Sequence, residues 1–526
     1  MNLKQKIILI FILAIAVSMR FTSLGTNPPD LYWDEVAIGY DAFSVLKTGN
    51  DQHGVPLPLF FESFGDWKLP GYIYTLVPFI AIFGLNEIAV RIPSALLGSL
   101  TVLVLFFIIK SQTKNIQLSL CSALLLAISP WHIQFSRAAF ESSCALFIFL
   151  VGFYLWLKSQ TNNRWYVLYL SVFLLGLSQY FYHSYRIFTP LMLAGLAIIY
   201  RNTLFKHKKQ SLIALLLFLV LSAPLVGFSL SKEGLSRATS ETAFNQKDRE
   251  EQRLLFDQRS KPPFRFLSKY LYQEHLYNSQ IVVKNYLSHF SPDFLFLKGD
   301  QVGRHSQVDL GQIHIFELPL IALGLFLIGS IKNRQLLKAM LLWLVFAPVA
   351  ATIVSPNPHA NRSLQMIIPL TFIGALGLNY LLVKLPKVVL AVCAFWMLGV
   401  LATFGHLVFE HYPKKFASDW QSGNREMVLT VDKIANNYPK IYVTNTVGVP
   451  YIYFLFYSKF DPKTYQKSGS PSAFGKYEFV PPSSKTYEKK NALYVAPAWQ
   501  ELEDQIIGAI KDNNGKTVYR IWELGR

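Results

Sequence analysis

The feature that most restricts what this chain can become is the length of its apolar runs. Stretches such as "SLIALLLFLVLSAPLVGFSL" (211–230) and "VVLAVCAFWMLGVLATFGHLVF" (388–409) are long enough, as helices, to cross about 30 Å of hydrocarbon. Backbone N–H and C=O groups have no water to bond in that medium, so a run of this kind must satisfy them itself as a helix. The charged share is 16% and the hydrophobic share 52%, whereas a soluble domain carries roughly a quarter charged residues. A mainly α-helical polytopic membrane protein is expected.

The net charge of +18 would suit a nucleic-acid partner, but its distribution does not. Much of the Lys and Arg falls in short loops between apolar segments, the pattern of loops retained in the cytoplasm. The N-terminus, "MNLKQKIILIFILAIAVSMR", has a basic start and a short apolar core without a small-x-small cleavage site, and is expected to be an uncleaved signal anchor. Cys121, Cys144 and Cys393 all lie inside apolar segments and form no disulfide framework or CxxC metal pattern.

Alternating apolar runs with basic loops predicts about eleven spans. Segment 7–22 leads out to a long outer stretch, 23–91, in which "PGYIYTLVPFIAIFG" (70–84) is short, flanked by Pro and Gly, and expected to lie in the interface. Segments 92–109, 116–131, 143–158, 165–182, 187–200 and 211–230 then alternate, the most basic loop being "RNTLFKHKKQ" (201–210). A second outer region, 231–313, precedes segments 314–331, 338–354, 364–383 and 388–409, which leave 410–526 outside. The expected division is therefore a membrane module, 1–409, and an extracytoplasmic domain, 410–526. In the latter, "KIYVTN", "NALYVAPAW" and "TVYRIWEL" have strand character, while "QELEDQIIGAIKDNNGK" has apolar spacing that suits an amphipathic helix ending at Gly515. A small α/β domain is predicted there.

Polar residues gather at the outer span ends. The first outer stretch supplies Asp34, Glu35, Asp41, Asp66 and Lys68; the later turns supply His132, Arg137 and Glu141, then His183 and Arg186, then His359 and Arg362; the large loop adds Asp300, Arg304 and His305. Ionisable groups at membrane depth are costly unless wet or paired, so a one-sided cluster is a candidate site. Plainer roles stand beside this one. A lone interfacial Arg also serves as a snorkelling anchor; Arg137 and Glu141 are spaced as a helix-surface pair; a His beside aromatic residues is more often a satisfied polar group than a metal ligand. Asp34 and Glu35, in "LYWDEVAIGYDAF" (31–43), stand out because they open a helix against an aromatic face, where the helix N-terminus favours ionised carboxylates.

Carboxylates beside several cations at an outer membrane face suit transfer from a phosphate-linked lipid. Arg and Lys grip phosphate through charge-assisted hydrogen bonds, and a carboxylate takes the proton from an attacking hydroxyl. The departing phosphate needs charge stabilisation more than protonation.

The motifs carrying this pattern resemble glycosyltransferase family 39 of the GT-C membrane glycosyltransferases, which includes the protein O-mannosyltransferases and the bacterial aminoarabinose transferase group. The resemblance rests on one span followed by "DE" and "GYDAF", then "TGNDQHGVPLP", "DWKLPGYIYTL", "AVRIPSALLGSLTVLVLF", "FSRAAFESSCALFIFL" and "HANRSLQMIIPLTFIGALGL", covers about 1–385, and is strongest over 28–110. It implies that Asp34 is the catalytic base with Glu35 its neighbour, that Lys68 lies near the donor phosphate, and that Glu141 is a second essential acid close to Arg137. Arg362 matches a phosphate contact, with Arg186, Arg304 and His183 as further candidates for donor or substrate binding. The chain departs from the family pattern where Trp67 precedes the Lys, where "KLP" replaces "KPP", and where Glu141 replaces the usual Asp.

The expected function is an inverting glycosyltransferase that moves a sugar from a polyprenyl-phosphate-linked donor to a hydroxyl acceptor on a protein, glycan or lipid at the outer face of the cytoplasmic membrane. No nucleotide motif is expected. A divalent metal is compatible with paired carboxylates, but the resemblance does not imply one. A lipid-diphosphate oligosaccharide ligase and a non-enzymatic transporter are the alternatives. The transporter reading suffers from acids at span ends rather than mid-membrane and from the lack of a repeat.

Overall fold

A computed structural model describes residues 1–160, 164–234, 274–446, 448–481, 491–500 and 505–524. Residues 235–273 of the expected outer loop 231–313 therefore lie outside the described residues. Among the described residues, six helices are long and apolar enough to cross a membrane: Glu87–Thr113, Glu141–Ser159, Lys208–Ser229, Arg334–Ala351, Leu364–Lys384 and Lys387–Lys415. A seventh is counted if Ile116–Ile128 and Pro130–Arg137, bent by 55°, form one broken span. The bend falls where Pro130 restarts the helix after Ser129; the sequence had suggested a plain turn there. The four helices Pro70–Phe83, Trp165–Ser178, Tyr185–Ile199 and Glu317–Ser330 are apolar but shorter. Pro70–Phe83 is the segment expected to lie in the interface, and Pro70 occupies its first turn, where a missing N–H costs nothing. The cysteines are free, two buried inside helices and Cys393 exposed.

The chain forms two compact units. The first comprises Met1–Met19, Leu97–Ser136 and Phe140–Leu401, and its described residues form helices and loops. Its helices pack as membrane helices do, through small residues that admit a neighbour's backbone. An added Cβ at Gly377, for instance, would collide with the carbonyl oxygen of Leu320 on the helix Glu317–Leu327.

The second unit comprises Arg20–Leu96, Arg137–Ala139 and Ala402–Arg526. It contains the helix Trp33–Thr48, a small hairpin and a mixed sheet. The hairpin pairs β1 (Phe61–Ser63) antiparallel with β2 (Asp66–Lys68) across the two-residue turn Phe64-Gly65. Both turn residues have positive φ, 59° and 73°, the twist-matched geometry that a two-residue hairpin favours and Gly65 supplies without strain. Phe64 is held in place by ring contacts to Trp33 and Tyr451.

The sheet has the order β4-β5-β3-β6-β8-β7, with β3 (Ile441–Thr444) central and parallel to β5 (Tyr477–Val480) and β6 (Ala492–Pro497). The short β4 (Ala473–Phe474) lies at one edge, and β8 (Thr517–Leu524) and β7 (Gln505–Lys511) complete the other. β3 and β6 are buried throughout, as interior strands covered on both faces should be. Tyr442, Tyr494 and Trp522 form the centre of one buried cluster. The predicted helix over "QIIGAIK" is instead the edge strand β7, antiparallel to β8. A register shift between Ile506 and Gly508 breaks its alternation, and a bulge of this kind gives a strand the uneven apolar spacing that resembles a helix. The polar run after it closes a hairpin, the Asp512 carboxylate accepting the N–H groups of Asn514 and Lys516.

Candidate active site

The helix Trp33–Thr48 presents its two leading acids in opposite settings. Successive helical residues are rotated by about 100°, so Asp34 and Glu35 cannot face the same way. The Asp34 side chain is 51% exposed and accepts one hydrogen bond from Lys68 Nζ at 2.7 Å. Lys68 is itself buried at the end of β2, with its ammonium 5.2 Å from the centre of the Phe64 ring. The hairpin thus fixes a cation against a carboxylate that still meets solvent.

Glu35 is buried and fully used. Its Oε1 accepts from Arg91 Nε at 3.0 Å and from the Ala139 N–H at 2.8 Å; its Oε2 accepts from Arg91 Nη2 at 3.0 Å and from the Tyr32 N–H at 3.1 Å. The last bond caps the helix that carries Glu35. Arg91 spends its remaining donors on the carbonyls of Leu24, Pro28 and Asp30, and its guanidinium stacks on Trp420. One buried guanidinium therefore gathers the whole segment 24–35 and aims the start of the Asp34 helix. Arg91 was quoted in the motif "AVRIPSALL" without a role; an Arg inside an apolar run was the signal that it had a demanding partner.

Arg137 is likewise committed. It is buried, donates from Nη2 to the carbonyls of Thr22 and Asn27 at 2.7 Å each, and lies over the Phe409 ring. Asp30, next to the pair, accepts the Gly423 N–H, and burial raises its carboxyl above the usual range. Asp41, two turns along the Asp34 helix, is fully buried. Its Oδ1 accepts the Gln52 N–H at 3.1 Å, and its Oδ2 is without a hydrogen-bond partner among the described residues. Burial, with some repulsion from Asp51, pushes its carboxyl up to about 8 against the opposing pull of the Gln52 N–H and Lys68.

A cavity of about 440 Å³ opens beside this helix start. Gln421, Asn424, Tyr453, Trp499, Lys516 and Tyr519 are among its lining residues. Gln421 Oε1 accepts both the Trp33 N–H at 3.2 Å and the Tyr453 hydroxyl at 2.6 Å, so the cavity wall is bonded to the residue immediately before Asp34. Trp499 is 67% exposed.

The other predicted residues lie in the first unit. Glu141 is the first residue of the helix Glu141–Ser159, an electrostatically favourable place for an acid. His183 sits in the turn before the helix Tyr185–Ile199, and Arg186 in that helix's first turn donates to Ser229 Oγ at 3.3 Å. The Arg304 carbonyl accepts from Gln134 Nε2, and the Arg362 carbonyl from Gln365 Nε2. As for a metal at the paired carboxylates, every Glu35 oxygen lone pair is directed at an N–H, and Asp34 holds an ammonium.

Residues 10–179 match the family model described as dolichyl-phosphate-mannose-protein mannosyltransferase. No curated protein matches the chain by sequence. Among solved structures, the chain is similar to ArnT from Cupriavidus metallidurans in the apo state, at 13% identity and TM-score 0.55, covering 98% of this chain and 97% of that one. ArnT bound to undecaprenyl phosphate gives 12% identity and TM-score 0.58 at the same coverage. The Archaeoglobus fulgidus oligosaccharyltransferase gives 13% identity and TM-score 0.51, covering 93% of this chain and 68% of that one. The chain thus matches a mannosyltransferase family model over its first third and has the fold of the membrane glycosyltransferase ArnT along nearly its full length.

Proposed function

We propose that the enzyme transfers a sugar, with inversion, from a polyprenyl-phosphate donor to a hydroxyl acceptor on the outer face of the cytoplasmic membrane. The observation that carries this is the half-exposed Asp34 carboxylate held 2.7 Å from Lys68. Asp34 takes the proton of the acceptor hydroxyl as its oxygen attacks the anomeric carbon. The bond from that carbon to the donor phosphate oxygen breaks, and its electron pair leaves with the lipid phosphate. Protonation of Asp34 removes the counter-charge of Lys68, which frees the ammonium to stabilise the departing phosphate as negative charge builds there. Base and electrophilic cation are thus coupled through one ion pair.

The lipid-linked donor class is supported by ArnT, which has this fold and has been solved with undecaprenyl phosphate. Roles for Glu141, His183, Arg186, Arg304 and Arg362 in donor or acceptor binding rest on the family resemblance. Glu35, through its four hydrogen bonds, and Arg137, through the two carbonyls its Nη2 serves, hold the site in shape. The division into a catalytic membrane module, 1–409, and an extracytoplasmic α/β domain, 410–526, is part of the proposal, as is the outward orientation drawn from the basic loops. The cavity beside Trp33 receives the acceptor: its exposed Trp499 offers a stacking face, and Gln421, Asn424 and Lys516 offer polar contacts.

The test is donor consumption by the purified enzyme in liposomes, with a panel of polyprenyl-phosphate sugars and a cell-envelope extract as acceptor, comparing wild type with Asp34→Asn. Asn keeps an oxygen for Lys68 and removes the base, so turnover should fall roughly 10²–10⁴-fold in a folded protein. Undiminished transfer by Asp34→Asn would overturn the assignment. Activity confined to diphosphate-linked oligosaccharides would replace the monophosphate reading with the ligase.

A further inference from the structure

The first unit holds a second group of ionisable side chains that the glycosyl transfer does not use. Asp300, His305 and His359 are all buried, and one ligating atom from each lies within 4.8 Å of the other two. His305 Nδ1 stands 3.5 Å from Asp300 Oδ2. The rings of His305 and His359 face one another at 5.0 Å and 32°. The Nδ1 atoms of both histidines are buried without a hydrogen-bond partner among the described residues. His305 Nδ1 has only the long contact to Asp300, and His359 Nδ1 has no hydrogen bond among the described residues, an expensive state for buried ring nitrogens unless something fills the space between them.

The surroundings are those of oriented ligands. The Asp300 carboxylate is fixed at both oxygens, Oδ1 accepting the Val302 N–H at 2.8 Å and Oδ2 the Ala360 N–H at 2.7 Å. Each carboxylate oxygen has a second lone pair, so these bonds aim the group without exhausting it. The third histidine nearby, His289, is spoken for: its Nδ1 lies 2.7 Å from the Asn285 carbonyl and its Nε2 accepts the His359 N–H at 3.1 Å. That bond in turn sets the backbone carrying His359. Outer contacts of this kind are what position first ligands around an ion. Phe135 and Phe140 pack on His305 and screen the group from water.

We infer that Asp300, His305 and His359 bind one divalent cation of the zinc class. The donor set, two imidazole nitrogens and one carboxylate oxygen, suits zinc, and three protein ligands leave a fourth position for water or a substrate oxygen. Ligands on one tetrahedral zinc lie about 3.3 Å apart; the His305–Asp300 spacing is 3.5 Å, and the three ligating atoms all lie within 4.8 Å of one another. The ion adds to the Ala360–Asp300 hydrogen bond in clipping residues 300–305 to the turn 355–363, and cross-linking segments so far apart in the chain stabilises the folded arrangement. The clip also fixes the turn that carries Arg362. It is independent of the proposed transfer chemistry, and the test below reads metal rather than turnover.

Purified full-length protein in detergent is stripped with chelator, re-equilibrated with Zn²⁺ and analysed for bound metal. The same is done for His305→Ala, His359→Ala and, as a control, the double variant His406→Ala/His411→Ala, whose imidazole nitrogens also lie close, 3.0 Å apart. The expected result is about one ion per chain in the wild type and the control, with affinity lowered at least ~100-fold in either single variant. Co²⁺ loading of the wild type gives a visible spectrum of tetrahedral imidazole-carboxylate coordination, a readout that stands even if a variant folds poorly. Absence of stoichiometric zinc in the wild type, full retention in His359→Ala, or loss in the control variant would each overturn the assignment.

Discussion

Asp34 and Glu35 are neighbours in sequence and opposites in structure. Asp34 meets solvent and holds one lysine; Glu35 is 4% exposed and receives four hydrogen bonds. The Asp34–Lys68 pair is loose enough for a proton to enter, whereas the Glu35–Arg91 pair is closed on every side. The second pair makes the first usable, because Arg91 ties the segment before the helix into one position and so fixes where Asp34 points. Reactivity and rigidity have been divided between adjacent carboxylates, and the helix rotation of about 100° per residue keeps them apart.

Substitutions should separate the two functions. The largest expected effect is the loss of turnover in Asp34→Asn, without loss of fold. Arg91→Met should do the reverse. Removing one partner of a buried, hydrogen-bonded pair leaves the other charge uncompensated and costs about 3–5 kcal/mol, so the variant should show a sharp fall in unfolding midpoint in detergent and a poor yield of monodisperse protein. Arg91→Lys should recover little, since an ammonium cannot reproduce the planar donor fork that serves Glu35 and three carbonyls. A stable Arg91→Met protein would dissolve the comparison.

Lys68→Met is next. If the ammonium stabilises the departing phosphate, turnover falls roughly 10–100-fold while stability changes by no more than about 1 kcal/mol, because the carboxylate left behind, Asp34, is half open to water. A kcat/KM split with saturating donor distinguishes this from a folding defect. An unchanged kcat would leave Lys68 as the anchor of Asp34 only.

How much of this the sequence disclosed depended on the range of the interaction. Membrane helices follow from local composition, and apolar runs such as 208–229 and 387–406 were plain. So was the acidic helix start, since "DE" after "LYW" is a local pattern. The partner of Glu35 was not, because Arg91 is 56 residues away and nothing in the spacing selects it over Arg137, which bonds instead to the carbonyls of Thr22 and Asn27. The β7 strand was mistaken for a helix because its bulge disguised the alternation. The facing of His305 and His359 was equally hidden: each sits in its own polar turn, and only tertiary packing puts the rings together.

The most specific effect concerns Asp41, on the same helix as the two acids but buried like Glu35 and, unlike it, without a cation bonded to it. Its folded carboxyl is pushed up to about 8, while the unfolded value is near 3.9. Between those values the folded protein holds a proton at Asp41 that the unfolded chain has released. Stability therefore falls as pH rises from about 4 to about 8, by at most about 1.4 kcal/mol per unit, and levels off above. Asp41→Asn, which is neutral throughout, should flatten that slope, most clearly between pH 6.5 and 8, above the range in which His289, lowered to about 4 by burial, exchanges protons. Thermal unfolding in detergent across that window, wild type against Asp41→Asn, measures the difference. Parallel curves would mean that Asp41 is ionised in the fold, and the buried face of the helix would then carry an anion that Lys68 must balance as well as Asp34.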